Sequence, residues 1–129
     1  MKNDTLLWLK YAEENLESAR ILSENGLYNP CLQNIQQAVE KFLKALISEK
    51  DIPLVKTHSI TELHNTLKRN DIIIDLSEED CDFLDSIYLP SKYPVSSVLP
   101  YYEPDQSICD SGLEIAANVF IAVKTILSR

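Results

Sequence analysis

The sequence predicts an all-α protein, an antiparallel up-and-down bundle of four to five helices. Three observations carry that expectation. Apolar residues recur at steps of three and four along most of the chain, which is the spacing of a helical face. Only 2 glycines interrupt it, and the β-branched run from Ile72 to Leu76 is too short and isolated to form a sheet. Finally, 129 residues with 45% hydrophobic and 25% charged side chains fit a single folded domain, residues 1–129, of a size that buries roughly two-thirds of its unfolded surface.

Asn3 or Asp4 is expected to cap a first helix running to about Asn25, with Gly26 closing it in a left-handed turn. Leu9, Ala12, Leu16 and Ala19 form its narrow seam, extended by Leu6, Trp8 and Leu22. The short turn Gly26–Asn29 makes an αα-hairpin with the second helix, and Ala12 and Ala19 allow close approach. That second helix, Asn29 to Lys50, organises the fold. Asn29 is its expected cap and Pro30 its first residue. Leu32, Ile35, Ala38, Val39, Phe42, Leu43, Leu46 and Ile47 give an apolar arc too wide for anything but a central position. Beside the arc runs a polar row, Gln33, Gln37, Glu40 and Lys44.

Asp51 to Lys56, with Pro53, reads as a connector. Ser59 and Glu62 have capping-box spacing for a short third helix holding Leu63 and Leu67, ended by Asn70-Asp71. Ile72 to Leu76 is expected to plug one end of the core. Ser77 starts a fourth helix that runs to Leu89, where Pro90 is expected to stop it. Leu89 to Pro104 contains Pro90, Pro94, Pro100 and Pro104 together with Tyr93, Tyr101 and Tyr102, a loop that reads as a functional lid or as packing. A last helix runs from about Asp105 to Ser128, with Ile108, Ala116, Phe120, Val123 and Leu127 inward. Gly112 marks a close contact, inside the bundle or across a dimer interface.

The formal net charge of −8 disfavours broad nucleic-acid binding, and no DNA partner is expected. The longest apolar stretch, Ile115 to Val123, is too short to span a bilayer. Cys31, Cys81 and Cys109 show no metal-type pairing, and an odd count without a signal peptide fits a reducing cytoplasm. No metal site and no cofactor are expected.

Among chemistry-bearing residues, Gln37, Glu40, Lys41 and Lys44 can line a groove for a phosphate or base edge, or Glu40–Lys44 can be an (i, i+4) pair on a wet face. Lys92 can meet a phosphate and Tyr93 can stack on a base, or Tyr93 packs under the loop with Lys92 in solvent. His58 and His64 straddle a helix start and make a poor metal pair; the structural reading of His58 is preferred. Glu78, Glu79, Asp80, Asp82 and Asp85 read as a solvated face or a patch for a basic partner.

Three segments also carry a family resemblance. Gln37-Ala38-Val39-Glu40-Lys41-Phe42-Leu43-Lys44-Ala45-Leu46 resembles the second-helix signature of HEPN domains (higher eukaryote and prokaryote nucleotide-binding). Thr57-His58-Ser59-Ile60 with Leu63 resembles that family's third-helix entry. Ser91-Lys92-Tyr93-Pro94 resembles its Arg-Tyr-Pro segment, with Lys92 in place of the usual Arg. The resemblance implies a helical bundle, usually a homodimer and often paired with a minimal nucleotidyltransferase protein in a toxin–antitoxin-like arrangement. It implies a histidine that caps or anchors the third helix at the His58 position.

The family's ribonucleases use an Arg followed after four to six residues by a His. Here the eligible positions hold Asn25, Gly26 and Leu27 after Arg20, and Ile74, Asp75 and Leu76 after Arg69; Arg129 ends the chain. Even with Lys92 as substitute, they hold Ser97, Val98 and Leu99, since no histidine follows His64. The expectation is therefore a non-catalytic module that binds nucleotide or RNA beside a nucleotidyltransferase partner. The alternatives are a metal-independent ribonuclease toxin and a substrate-binding subunit for nucleotidyl transfer.

Overall fold

Helix follows helix along the chain in the computed structural model, which describes residues 1–54, 56–92 and 103–129, with backbone alone at 89–92. In order these are α1 (Asn3–Glu24), α2 (Tyr28–Glu49), α3 (Ile60–Arg69), α4 (Glu78–Lys92) and α5 (Gln106–Leu127). No strand occurs among the described residues. The fold is all-α, a helical bundle.

α2 is the hub, packing against each of the other four helices. Its apolar arc, Leu32 through Ile47, is fully buried, and Phe42 stacks on Phe120 of α5 with ring centroids 5.1 Å apart. α1 lies against α2 through Leu9, Ala12, Leu16 and Ala19, all buried. Gly112 decides how close α5 comes: an added Cβ there would lie 3.0 Å from Ile35 Cδ1, so the close contact is inside the bundle. Trp8 and Leu22 flank the seam as expected, whereas Leu6 is exposed.

α1, α2 and α3 end in the same left-handed turn. At the first, Gly26 has φ +71°, and the N–H of Leu27 and of Gly26 donate to the Leu22 and Ser23 carbonyls, a Schellman motif. Asp51 (φ 57°) and Asp71 (φ 60°) take the glycine's place in the other two. The expected cap at Ser59 is present, and Ser77 and Asp105, where helices were expected to start, also serve as caps, each of the three accepting from the N–H three residues on. Ser59 makes only half of a capping box, because its own N–H donates to Thr57 Oγ1. Ile74 and Leu76 plug the core end while Ile73 points outward.

Three boundaries differ from expectation. α1 begins after Lys2, not at an Asn3 or Asp4 cap, and the carboxylate of Glu49 on α2 accepts from the Lys2 N–H and the Thr5 hydroxyl. α2 begins at Tyr28 behind Leu27, so Asn29 is inside the first turn and not its cap. α4 runs through Pro90 to Lys92. Pro90 has no N–H for the Ser86 carbonyl and its ring crowds that carbonyl, and α4 ends two residues later. Residues 93–102, and with them Tyr93, Tyr101 and Tyr102, lie outside the described residues.

Candidate functional site

The polar row on α2 does not face water. Because α2 is surrounded on all sides, Glu40 and Lys44 are drawn into the interior, only 5% and 7% exposed. The expected (i, i+4) pair exists, Lys44 Nζ to Glu40 Oε2 at 2.9 Å, but it is buried and not on a wet face. Ions taken out of water need several partners each to recover their hydration. Lys44 also lies 5.4 Å from the ring centroid of Trp8 on α1, a cation–π contact. Glu40 spends its other oxygen on His58, with Nδ1 3.0 Å from Oε1.

Gln36, one turn before Glu40, completes this row and was not expected from the sequence. Its side-chain amide donates to the His58 carbonyl at 3.0 Å and reaches Glu40 Oε1 at 3.5 Å, while its own buried Oε1 has no partner among the described residues. The signal was legible in principle: Gln36, Glu40 and Lys44 are spaced four apart within an apolar helix.

His58 is therefore held from behind, at its backbone by Gln36 and at its ring by Glu40. The carboxylate only accepts, so Nδ1 carries the proton and Nε2 is left as the acceptor of the neutral ring. The side chain is 60% exposed. On its outer side the ring stacks on Tyr88 of α4, centroids 4.9 Å apart and 15° from parallel.

One turn before Tyr88, Asp85 reaches to the head of α3. Its carboxylate accepts from the Ile60 N–H at 2.6 Å, the Thr61 N–H at 3.2 Å, the Thr61 hydroxyl at 2.6 Å and the Ser59 hydroxyl at 3.2 Å. Asp85 is thus a helix cap supplied from another helix, not part of a solvated acidic face; Glu78, Glu79 and Asp82 are exposed as that reading expected. His58, Ser59, Asp85 and Tyr88 line an open cleft of about 340 Å³. His58 anchors the entry of α3 to α2, while Ser59 and Asp85 do the capping.

The remaining candidates are dispersed. Lys41 turns to the α1 seam, donating to Asn15 Oδ1 at 2.6 Å, and Asn15 in turn donates to Asn34. Gln37 is half-buried and makes no hydrogen bond to the Glu40 group among the described residues. Lys92 is the last residue of α4, and Tyr93 falls outside the described residues. Arg20 pairs with Glu17 on α1. Arg69 donates to Thr66 at the far end of α3, about 15 Å along the axis from its start.

All three cysteines are free and buried. Cys31 and Cys109 come within hydrogen-bonding reach of each other, a pairing the sequence spacing did not reveal, and burial pushes the Cys109 thiol up to about 12. Cys81 meets His64 at 3.6 Å. No helix among the described residues is long and apolar enough to cross a membrane.

No curated protein matches the chain. Among solved structures, the archaeal HEPN homologue ST0689 is 29% identical, with a TM-score of 0.72 over 97% of this chain and 98% of that one. TT1696 from Thermus thermophilus is 25% identical, with a TM-score of 0.77 over 96% of this chain and 98% of that one. The family model described as HEPN domain matches residues 5–126. With a match over nearly the whole length and this helical order, the chain belongs to the HEPN domain family.

Proposed function

We propose that the chain is a non-catalytic HEPN-type module that binds a nucleotide or an RNA end, acting as a homodimer beside a nucleotidyltransferase partner in a toxin–antitoxin-like pair. The observation that supports this reading is the stacked His58–Tyr88 pair at an open cleft, with His58 exposed, Tyr88 half-buried, and a buried carboxylate bracing the imidazole from behind. A base stacked on such rings gains about 1–3 kcal/mol. The net charge of −8 favours a short ligand over a long polyanion. Lys44 is committed to Glu40, so the phosphate contact falls to Lys92, one turn beyond Tyr88, with Tyr93 following it in sequence.

The test is equilibrium dialysis of nucleoside monophosphates and short RNAs against the wild-type chain, His58→Ala and Tyr88→Ala. Either substitution is expected to weaken binding about tenfold, the loss of ~1.4 kcal/mol. Affinity unchanged in both variants rejects the cleft. Light scattering should report twice the 14.7 kDa chain mass at micromolar concentration; a 14.7 kDa species rejects the homodimer. Failure to co-purify a nucleotidyltransferase from the native host rejects that partnership.

A second reading draws on the Glu40–His58 contact. A carboxylate that fixes one imidazole nitrogen leaves the other as an oriented base, the arrangement a ribonuclease needs at a 2′-hydroxyl. A guanidinium for the phosphate is missing from this cleft among the described residues, where Arg20 and Arg69 are engaged elsewhere. Incubation with total RNA, with and without divalent metal, separates the readings. Cleavage that disappears in His58→Ala establishes the enzyme and overturns the binding-only proposal.

A further inference from the structure

The second histidine stands apart from the cleft described above. His64, on α3, is 3% exposed, and its Nε2 lies 3.2 Å from the Ile74 carbonyl. A carbonyl only accepts, so Nε2 carries the proton and the Nδ1 lone pair points the other way. It points at Cys81 on α4, with Nδ1 and Sγ 3.6 Å apart. Glu78 and Asp82 flank Cys81 at i−3 and i+1, and both line the same pocket of about 100 Å³, as does Lys68. Glu78 and Asp82 are exposed, with side chains free to change rotamer.

We propose that His64 and Cys81 are the two preplaced ligands of a site for a zinc-class divalent cation, completed by Glu78 or Asp82 and by water. Three features support it. Sulfur at ~2.3 Å and nitrogen at ~2.0 Å from a tetrahedral zinc lie about 3.5 Å apart, which the observed 3.6 Å matches. Metal-bound histidines characteristically donate their other N–H to a carbonyl or carboxylate, which orients the ring; the Ile74 carbonyl already does so here. The pocket of about 100 Å³ has room for a cation with its waters, since a water needs only about 10–15 Å³ of such space. Among the described residues no three His, Cys, Asp or Glu side chains converge as a finished centre. Hence a carboxylate must swing in on binding.

The chemistry balances without an oxidant or reductant. The Cys81 thiol, which burial and the nearby Asp85 push up to about 11, gives its proton to solvent as the Sγ–metal bond forms. The Nδ1 lone pair transfers from the S–H to the metal, and the metal's oxidation state is unchanged. One proton is released for each cation bound.

The experiment uses the full chain stripped with chelator and titrated with Zn(II), and with Cd(II) to read the sulfur-to-metal charge-transfer absorption. One equivalent of metal and a thiolate band are expected, with an elevated melting temperature. Cys81→Ser should lose the band, and the Cys31→Ser/Cys109→Ser double variant should keep it. Cys81 is buried, so the exposed double variant Glu78→Gln/Asp82→Asn provides a readout independent of folding: Zn(II) affinity should fall about tenfold or more with the circular dichroism spectrum unchanged. Absence of a band in the wild-type chain overturns the proposal. So does a band that survives Cys81→Ser, one that vanishes in the Cys31/Cys109 variant, or a Zn(II) affinity indifferent to the carboxylate pair.

Discussion

Replacing Asp85 by alanine tests the architecture of the cleft most directly. The carboxylate accepts from the Ile60 and Thr61 backbone N–H groups and from the Ser59 and Thr61 hydroxyls. The hydroxyls are half-buried and can turn to water, so they contribute little to the difference. The N–H groups belong to the first turn of α3, where no backbone carbonyl is available to them. Ile60 is fully buried, and leaving its N–H unpaired costs about 1–3 kcal/mol. Loss of the Thr61 bond and of a negative charge at the helix start adds about 1 kcal/mol. Asp85→Ala should therefore destabilise by about 2–4 kcal/mol, which at about 4 °C per kcal/mol for a chain of this size lowers Tm by about 8–16 °C. Urea denaturation followed by far-UV circular dichroism measures it, with an unchanged m-value confirming that only stability moved. Asp82→Ala, on the same helix and exposed, is the control and should stay within about 0.5 kcal/mol. If the two variants lose equal stability, Asp85 is ordinary surface charge and the long-range cap is wrong.

Phe42→Ala removes a fully buried ring stacked on Phe120 and should cost about 3–5 kcal/mol in the same assay; an unmoved midpoint contradicts the packing. Glu40→Ala leaves Lys44 buried without its carboxylate and should cost about 3–5 kcal/mol, whereas the double change Glu40→Gln/Lys44→Met should be far milder, since it strands no charge. Equal losses in the two would contradict a buried pair. Burial lowers the His64 pKa below its ordinary 6.5, so the unfolded chain takes up the proton first as pH falls. Its contribution is complete above pH 6.5 and is lost progressively below it, with a slope of at most ~1.4 kcal/mol per pH unit. Stability of the metal-free chain measured from pH 8 to 5 should show this slope, and His64→Gln should flatten it.

Most of the fold was legible because its signals are local. The apolar arc of Leu32 to Ile47 announced α2 as the hub, and Ser59, Ser77 and Asp105 announced helix starts, since each bonds a backbone group three residues away. What sequence reading missed is non-local. Glu49 serves the start of α1 from 47 residues away, and Asp85 serves α3 from 25; neither carboxylate has a local pattern to betray it. The spacing of Glu40 and Lys44 suits a ligand groove or a pair on a wet face, but a helix packed on all sides has no wet side. The candidate site was accordingly half legible. Glu40, Lys44 and His58 come together, Gln36, Tyr88 and Asp85 join them, and Lys41 belongs to the α1 seam.

The chain contains a single tryptophan, and Trp8 stands over the Lys44 ammonium. That ammonium is the inner end of a relay running through Glu40 to His58 at the cleft. An indole's excited state redistributes charge across its two rings, so a fixed cation beside it shifts the emission energy. Anything that protonates, displaces or covers His58 alters how tightly Glu40 holds Lys44, and hence the field at the indole. The protein thus carries its own optical gauge of the cleft: the colour of its fluorescence should register events at His58 without any label, reported from α1.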